Sequence, residues 1–503
     1  MISAKSSEEL YNEYKHQIRK IADVKNALNI LQWDQETYLP SKGASFRAQQ
    51  TATLSELAHQ LFTSEYFGNI LQELNSRNNL SQKEKRNVEL SNEDYIKQKK
   101  FTSDFVKKMS ETVSKSFHAW IDARRQNAFS AFEKDLNGLL QLKKEEAYLL
   151  GFENHPYNAL LNEFEKGCTV KLLDKIFTEI LYPLKKLFDQ INSKPQIDDS
   201  CLHQYFPKQQ QWDFGIKIIG QLGFDFKAGR QDISEHPFTT SFNNNDVRIT
   251  TRIDEHNFAG MLWSCIHESG HALYEQGLPE TEYGLPLGEY TSLGIHESQS
   301  RLWENCVGRG KTFWNYHYKE LQDTFPDQLA EVSLQQFYKA INKVEPSLIR
   351  TEADELTYHF HVMIRYEIEK LLIEGTIGAH DIPAYWNEHY EKYLDLKVPD
   401  DKRGCLQDIH WSHGSFGYFP TYSLGSFYAA QLYGKAIKQN PAIEQAIGKG
   451  DTNPLLDYLR KHIFQYGRMY TSEELFAVIG GEPLDIKYFL EYLFDKYKNI
   501  YIL

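Results

Sequence analysis

The sequence predicts a mainly α fold, a large two-lobed helical body with one small β-hairpin or sheet. Long stretches without proline carry apolar residues at three- and four-residue spacing, which is the helical period. Only one short region reads as β structure. No repeat, low-complexity tract or change of composition divides the 503 residues. That continuity favours one domain over 1–503 with two lobes, although the length would accommodate more.

From Ser41 to His155 there is no proline and glycine is sparse, so this region reads as several long helices. Its basic cluster Lys97-Gln98-Lys99-Lys100 reads as a solvated helix face. Between His236 and Ile253 two β-type runs, HPFTTSF and VRITTRI, flank Asn243-Asn244-Asn245-Asp246. That pattern predicts a hairpin, whose edge could accept an extended peptide as a further strand.

Asn257 to Gln276 is proline-free and surrounds its histidines with Met261, Leu262, Cys265, Ile266, Ala272 and Leu273, predicting a helix stopped at Gly277. Gly277, Pro279, Gly284, Pro286 and Gly288 mark a loop before a helical pattern resumes over Ser292 to Val307. Thr351 to Glu374 again has a helical pattern, ended by Gly375. Asp401 to Gly417, rich in Gly, His and Asp, reads as a loop.

Composition narrows the function. A 41% apolar content supports a sizeable core, while 25% charged residues and a net charge of −13 predict a soluble, acidic protein and argue against nucleic acid. No apolar run approaches the roughly 18 residues of a spanning helix, and Met1 to Lys20 is too polar for a secretory signal. Five cysteines without a CxxC pair fit a reducing cytoplasm.

His267-Glu268-Ser269-Gly270-His271 is the chemically informative stretch. At about 100° per residue, His267 and His271 share one helix face, so both rings can reach one ion while Glu268 projects beside it as a base for water. Catalytic zinc takes three protein ligands and keeps a position open. Glu297, on the next helical segment, is the third candidate. The adjacent His296 competes for that place but points about 100° away, so Glu297 is favoured. Such a set suits Zn²⁺, and Co²⁺ or Mn²⁺ can occupy it.

Six blocks in order resemble the thermostable metallocarboxypeptidases of the carboxypeptidase Taq type. They are Trp33-Asp34-Gln35-Glu36-Thr37, His236-Pro237-Phe238, Asp246-Val247-Arg248-Ile249-Thr250, the His267 motif with Glu297, Ile349-Arg350-Thr351-Glu352-Ala353-Asp354, and Gly404-Cys405-Leu406-Gln407-Asp408-Ile409-His410-Trp411. The resemblance spans nearly the whole chain. It implies a gluzincin-like body with a deep groove, a homodimer, and removal of single C-terminal residues from peptides.

A carboxypeptidase must hold a terminal carboxylate, which an arginine fork matches. The resemblance implies that role for Arg350; the alternative is an ion pair with Asp354 or Glu352. It also implies that His236, Arg248, Gln407, Asp408, His410 and Trp411 close one end of the groove and limit substrate length. The spacing of His413, Tyr418 and Tyr422 resembles the segment that completes the site in related zinc oligopeptidases, with Tyr422 the first choice as oxyanion donor.

Metal-bound histidines usually donate their other ring N–H to a carboxylate or carbonyl. Many related enzymes place an acid four residues after the ligand glutamate, where this chain has Arg301, leaving Asp354 and Glu304 as candidates. Two other functions remain open: a zinc oligopeptidase or dipeptidyl carboxypeptidase, and a silent peptide-binding protein. Glu268 argues against the last, because binding alone needs no base.

Overall fold

Helix propagates through almost every stretch where the apolar period is 3.6. The computed structural model describes residues 5–503 and contains twenty-one α-helices and one three-stranded sheet. The first helix, Ser7–Thr37, starts at a capping box in which Ser6 accepts from the Glu9 amide and the Glu9 side chain bonds back. It buries Leu10, Tyr11, Tyr14 and Ile18 against Phe67, Ile70, Leu71 and Leu74.

The long helices expected between 41 and 155 are present as Ala44–Phe62, Glu65–Asn75, Gln82–Lys99, Ser103–Gln126 and Ser130–Leu150. Lys97 and Lys99 fall in the last turn of their helix, where positive charge suits the exposed carbonyls.

The chain forms two compact units. One comprises the segment up to Lys99, Asp198–Ile341 and Leu432–Pro483. The other comprises Lys100–Ile197, Asn342–Gln431 and Leu484–Leu503. Each is built from three separated segments, so no single cut in the sequence releases either.

The first unit holds the sheet: β1 (Gly229–Ile233), β2 (Thr239–Asn243) and β3 (Asp246–Thr251), in the order β1-β3-β2. β2 and β3 are the expected antiparallel hairpin. β1, parallel to β3, was not expected, because Gly-Arg-Gln-Asp-Ile lacks the apolar alternation of a strand. Gly229 permits it, since a side chain there would collide with the Val247 carbonyl. β3 buries Val247, Ile249, Thr250 and Thr251 and packs on the helix that carries the HExxH motif.

That helix spans Phe258–Gln276 and is capped by Asn257, whose side chain accepts from Gly260 N at 3.0 Å. Gly277 ends it in a right-handed conformation rather than the left-handed one usual for a glycine stop. Its lack of a side chain makes room for Phe464 instead.

The pattern over Ser292 to Val307 resolves into an α-helix, Leu293–Arg301, continued by a π-helix, Leu302–Gly308. In the second unit, Tyr358–Glu374 is almost entirely buried and carries His359, His361, Arg365 and Glu369 inside along with its apolar residues. It begins later than the sequence pattern suggests, because Asp354 caps the turn before it with bonds from the Leu356 and Thr357 amides. Gly375 closes it in the left-handed region at φ 92°. The segment expected as a loop contains only one 3-10 turn, His410–His413. Among the described residues no helix is long and apolar enough to cross a membrane, and all five cysteines are free.

Candidate active site

The ligand triad is assembled by a close crossing of two helices. Gly270 lies against the backbone of Ser300 and Gln299, bringing Phe258–Gln276 and Leu293–Arg301 together between the two histidines. Glu297 Oε2 then stands 3.5 Å from His271 Nε2 and 3.8 Å from His267 Nε2. Donors about 2.1 Å from a tetrahedral ion lie about 3.4 Å apart, so this spacing fits one small divalent cation. Two imidazoles and one carboxylate are also the donor set expected of catalytic zinc.

The outer nitrogens of both rings are occupied, which leaves the inner ones for a metal. His267 Nδ1 faces Glu304 Oε2 at 2.9 Å, and His271 Nδ1 faces the His296 carbonyl at 3.1 Å. Glu304 is therefore the carboxylate partner, whereas Asp354 is committed to its helix cap. Arg301 donates to Glu297 at 2.7 Å and to Glu304 at 3.2 Å, so the basic residue in the place of the usual acid ties the two carboxylates together. His296 turns away to Glu275 at 2.8 Å while its ring stacks on His271 at 4.5 Å.

Electrostatics agrees with this arrangement. Burial and the neighbouring His296 push His271 down to about 3, so its ring is neutral with a free lone pair. Burial also opposes a charge on His267, but Glu297 and Glu304 outweigh it and raise its pKa. Carboxylates that favour an imidazolium equally favour a divalent cation. For Glu297 burial is overcome by Arg301 and His267, and its pKa falls well below the usual carboxylate range.

Glu268 is buried beside this set without belonging to it. Burial raises its pKa, which His267 and Thr239 partly offset. Thr239 of β2 donates to Glu268 Oε2 at 2.5 Å, so the carboxylate is held by the edge strand of the sheet. Nearby on the same sheet Arg248 pairs with Asp246 and stacks over Trp33 at 4.3 Å, and His236 is exposed in the preceding loop.

The second unit holds another polar cluster. Arg350 is buried and donates from Nε and Nη2 to Asp408 and from Nη1 to Tyr358. Its partner is thus Asp408, not Asp354 or Glu352. Arg365, fully buried, donates to the same Asp408 at 2.6 Å and to Gln407 at 2.9 Å. Two guanidiniums share one carboxylate, leaving the cluster with an excess positive charge. Burial disfavours the Asp408 charge, but the two arginines hold its pKa far below the carboxylate range.

His410 Nε2 lies 3.3 Å from the Tyr422 hydroxyl, and Tyr422 meets Tyr418 edge to face and lies under Arg350. Burial lowers the His410 pKa to about 3. Trp411 donates to Glu369 at 2.7 Å, and exposed His413 packs on Phe117.

The model of the carboxypeptidase Taq (M32) metallopeptidase family matches residues 13–497. The chain belongs to that family. Carboxypeptidase 1 of Bacillus subtilis is 38% identical over 98% of both chains, and thermostable carboxypeptidase 1 of Thermus thermophilus is 38% identical over 93% of this chain and 94% of its own. The solved M32 carboxypeptidase of Deinococcus radiodurans superposes with a TM-score of 0.97, 37% identity and coverage of 98% and 100%. Family membership and this likeness agree with the predicted mainly α fold.

Within this M32 chain the sequence reading overlooked Thr239, Gly270, Arg365 and Glu369. Gly270 had a signal: a mid-helix glycine costs about 1 kcal/mol against alanine and implies a close contact. The other three reveal themselves only through partners distant in sequence.

Proposed function

We propose that the chain is a metal-dependent carboxypeptidase that removes single C-terminal residues from peptides, with Zn²⁺ held by His267, His271 and Glu297. Co²⁺ and Mn²⁺ suit the same donors. One observation carries the reading: three donor atoms converge at metal-ligand spacing while Glu268, buried beside them, is left free to move protons. The names of the relatives support the reaction class.

When bound, the ion supplies Lewis acidity toward the attacking water and the scissile carbonyl. Glu268 accepts the water proton and returns it to the departing amine. Thr239 orients that carboxylate. Tyr422, with His413 and Tyr418, donates to the oxyanion. Arg350 still has two of its five N–H groups outside the bonds to Asp408 and Tyr358, and the excess positive charge it shares with Arg365 favours a terminal carboxylate.

Asp408 braces that guanidinium and Gln407 accepts from the Arg350 backbone amide, and with His236, Arg248, His410 and Trp411 they limit substrate length. The protein acts as one catalytic domain over 1–503, as a cytoplasmic homodimer, without nucleic acid.

The test is product analysis on an N-blocked peptide. Successive release of free amino acids, abolished by chelation and restored by Zn²⁺, is expected. Release of dipeptides or internal fragments instead would assign a dipeptidyl carboxypeptidase or oligopeptidase, and binding without cleavage by the metal-loaded protein would assign a silent binder.

A further inference from the structure

We propose that Glu369 is a positioning residue for the reaction, holding both ends of the segment between Trp411 and Gly417 so that His413 and Tyr418 are presented in fixed places. The inference rests on the reading that His413, Tyr418 and Tyr422 act on the substrate.

Glu369 lies on the central helix Tyr358–Glu374 and is fully buried. Its Oε1 accepts from Trp411 Nε1 at 2.7 Å, and its Oε2 accepts from the Gly417 amide at 2.7 Å and from the Tyr157 hydroxyl. Trp411 opens the segment. Gly417 closes it and immediately precedes Tyr418. One carboxylate therefore clamps the loop at both ends.

The far side of the clamp is equally constrained. Gly417 has φ +98°, and a Cβ there would stand 2.8 Å from the Leu160 backbone, so the chain at that point is pinned between Leu160 and Glu369. Among the described residues Glu369 has no ion-pair partner; Arg365, one turn away, is committed to Asp408 and Gln407. An apolar side chain would pack this position without the desolvation cost of a buried carboxylate. What an apolar group cannot do is accept from two loop donors and a tyrosine at once. Burial raises the pKa of the carboxyl to about 7 despite its three donors.

The experiment compares Glu369→Gln with wild type in peptide hydrolysis, with rates normalised to bound metal and thermal stability recorded. A single amide oxygen cannot accept from all three donors, and its NH₂ faces a donor. The expected result is a kcat lower by roughly 10- to 100-fold with KM within about twofold.

Double-mutant cycles with Tyr418→Phe and Tyr422→Phe add a readout that mere loss of stability would not move: the losses should be less than additive. Tyr157→Phe removes one donor and lowers kcat less, in the same direction, which keeps the proposal testable should Glu369→Gln fail to fold. An unchanged kcat in Glu369→Gln, or losses that add fully and follow thermal stability, would overturn the inference. If both tyrosine variants keep full kcat while Glu369→Gln loses it, the donor assignment fails and the positioning role stands, acting through His413.

Discussion

Gly270 and Ser300 touch backbone to backbone: a Cβ added to Gly270 would stand 2.6 Å from the Ser300 Cα. That contact sits between the two histidine ligands and sets how near the glutamate helix can come. Gly270→Ala is expected to force the helices apart, costing about 1 to 3 kcal/mol of stability and weakening metal binding. Urea unfolding and a metal-buffered titration check both; unchanged affinity would show that the crossing does not set the site.

Glu304 and Glu268 should separate cleanly. Glu304→Ala removes the partner of His267 Nδ1 and is expected to weaken metal affinity by roughly 10- to 100-fold. Glu304→Gln should lose less, because its amide oxygen still accepts from the ring. Glu268→Gln should keep the metal and lose about 10²- to 10⁴-fold in kcat. Metal content and turnover, measured on the same preparations, distinguish the two; a Glu268→Gln enzyme with full turnover would end its assignment as the base.

Asp408 neutralises part of two buried guanidiniums, those of Arg350 and Arg365. Asp408→Asn leaves that charge uncompensated and is expected to destabilise the protein by about 3 to 5 kcal/mol. Chemical denaturation reads it directly. A cost below about 1 kcal/mol, the level of an exposed pair, would mean that water reaches the cluster.

Glu369 gives stability a definite pH dependence. Its pKa is raised by burial from the ordinary 4.5 to about 7, so between those values the folded protein binds the proton and the unfolded chain does not. Its contribution is present below pH 4.5 and is lost as pH rises through 7. The groups facing it are the Tyr157 hydroxyl, which stays neutral because burial and Glu369 itself raise its pKa, and the Arg365 guanidinium, which acts to lower the Glu369 pKa. Wild type should lose up to about 3 kcal/mol relative to Glu369→Gln between pH 4.5 and 7.5. Parallel denaturation curves at the two pH values test this, and a constant difference would contradict it.

Much of this architecture was legible in the residues. The 257–276 helix follows from its proline-free apolar pattern and the Gly277 stop, and the hairpin from two β-type runs around an asparagine turn. β1 escaped notice because its strand character comes from pairing with β3 rather than from its own alternation. The split of Ser292 to Val307 into α and π segments was equally hidden, since both leave apolar residues on the same side over so short a span.

Chain order alone determined that His267 and His271 share a face with Glu268 beside them, because helix geometry translates spacing into direction over a few residues. Only tertiary packing decided that Glu304 and not Asp354 supports His267, that Arg350 turns to Asp408, and that Glu369 clamps the 411–417 segment. Those pairings join residues far apart along the chain, and which distant groups meet depends on how whole helices close on one another.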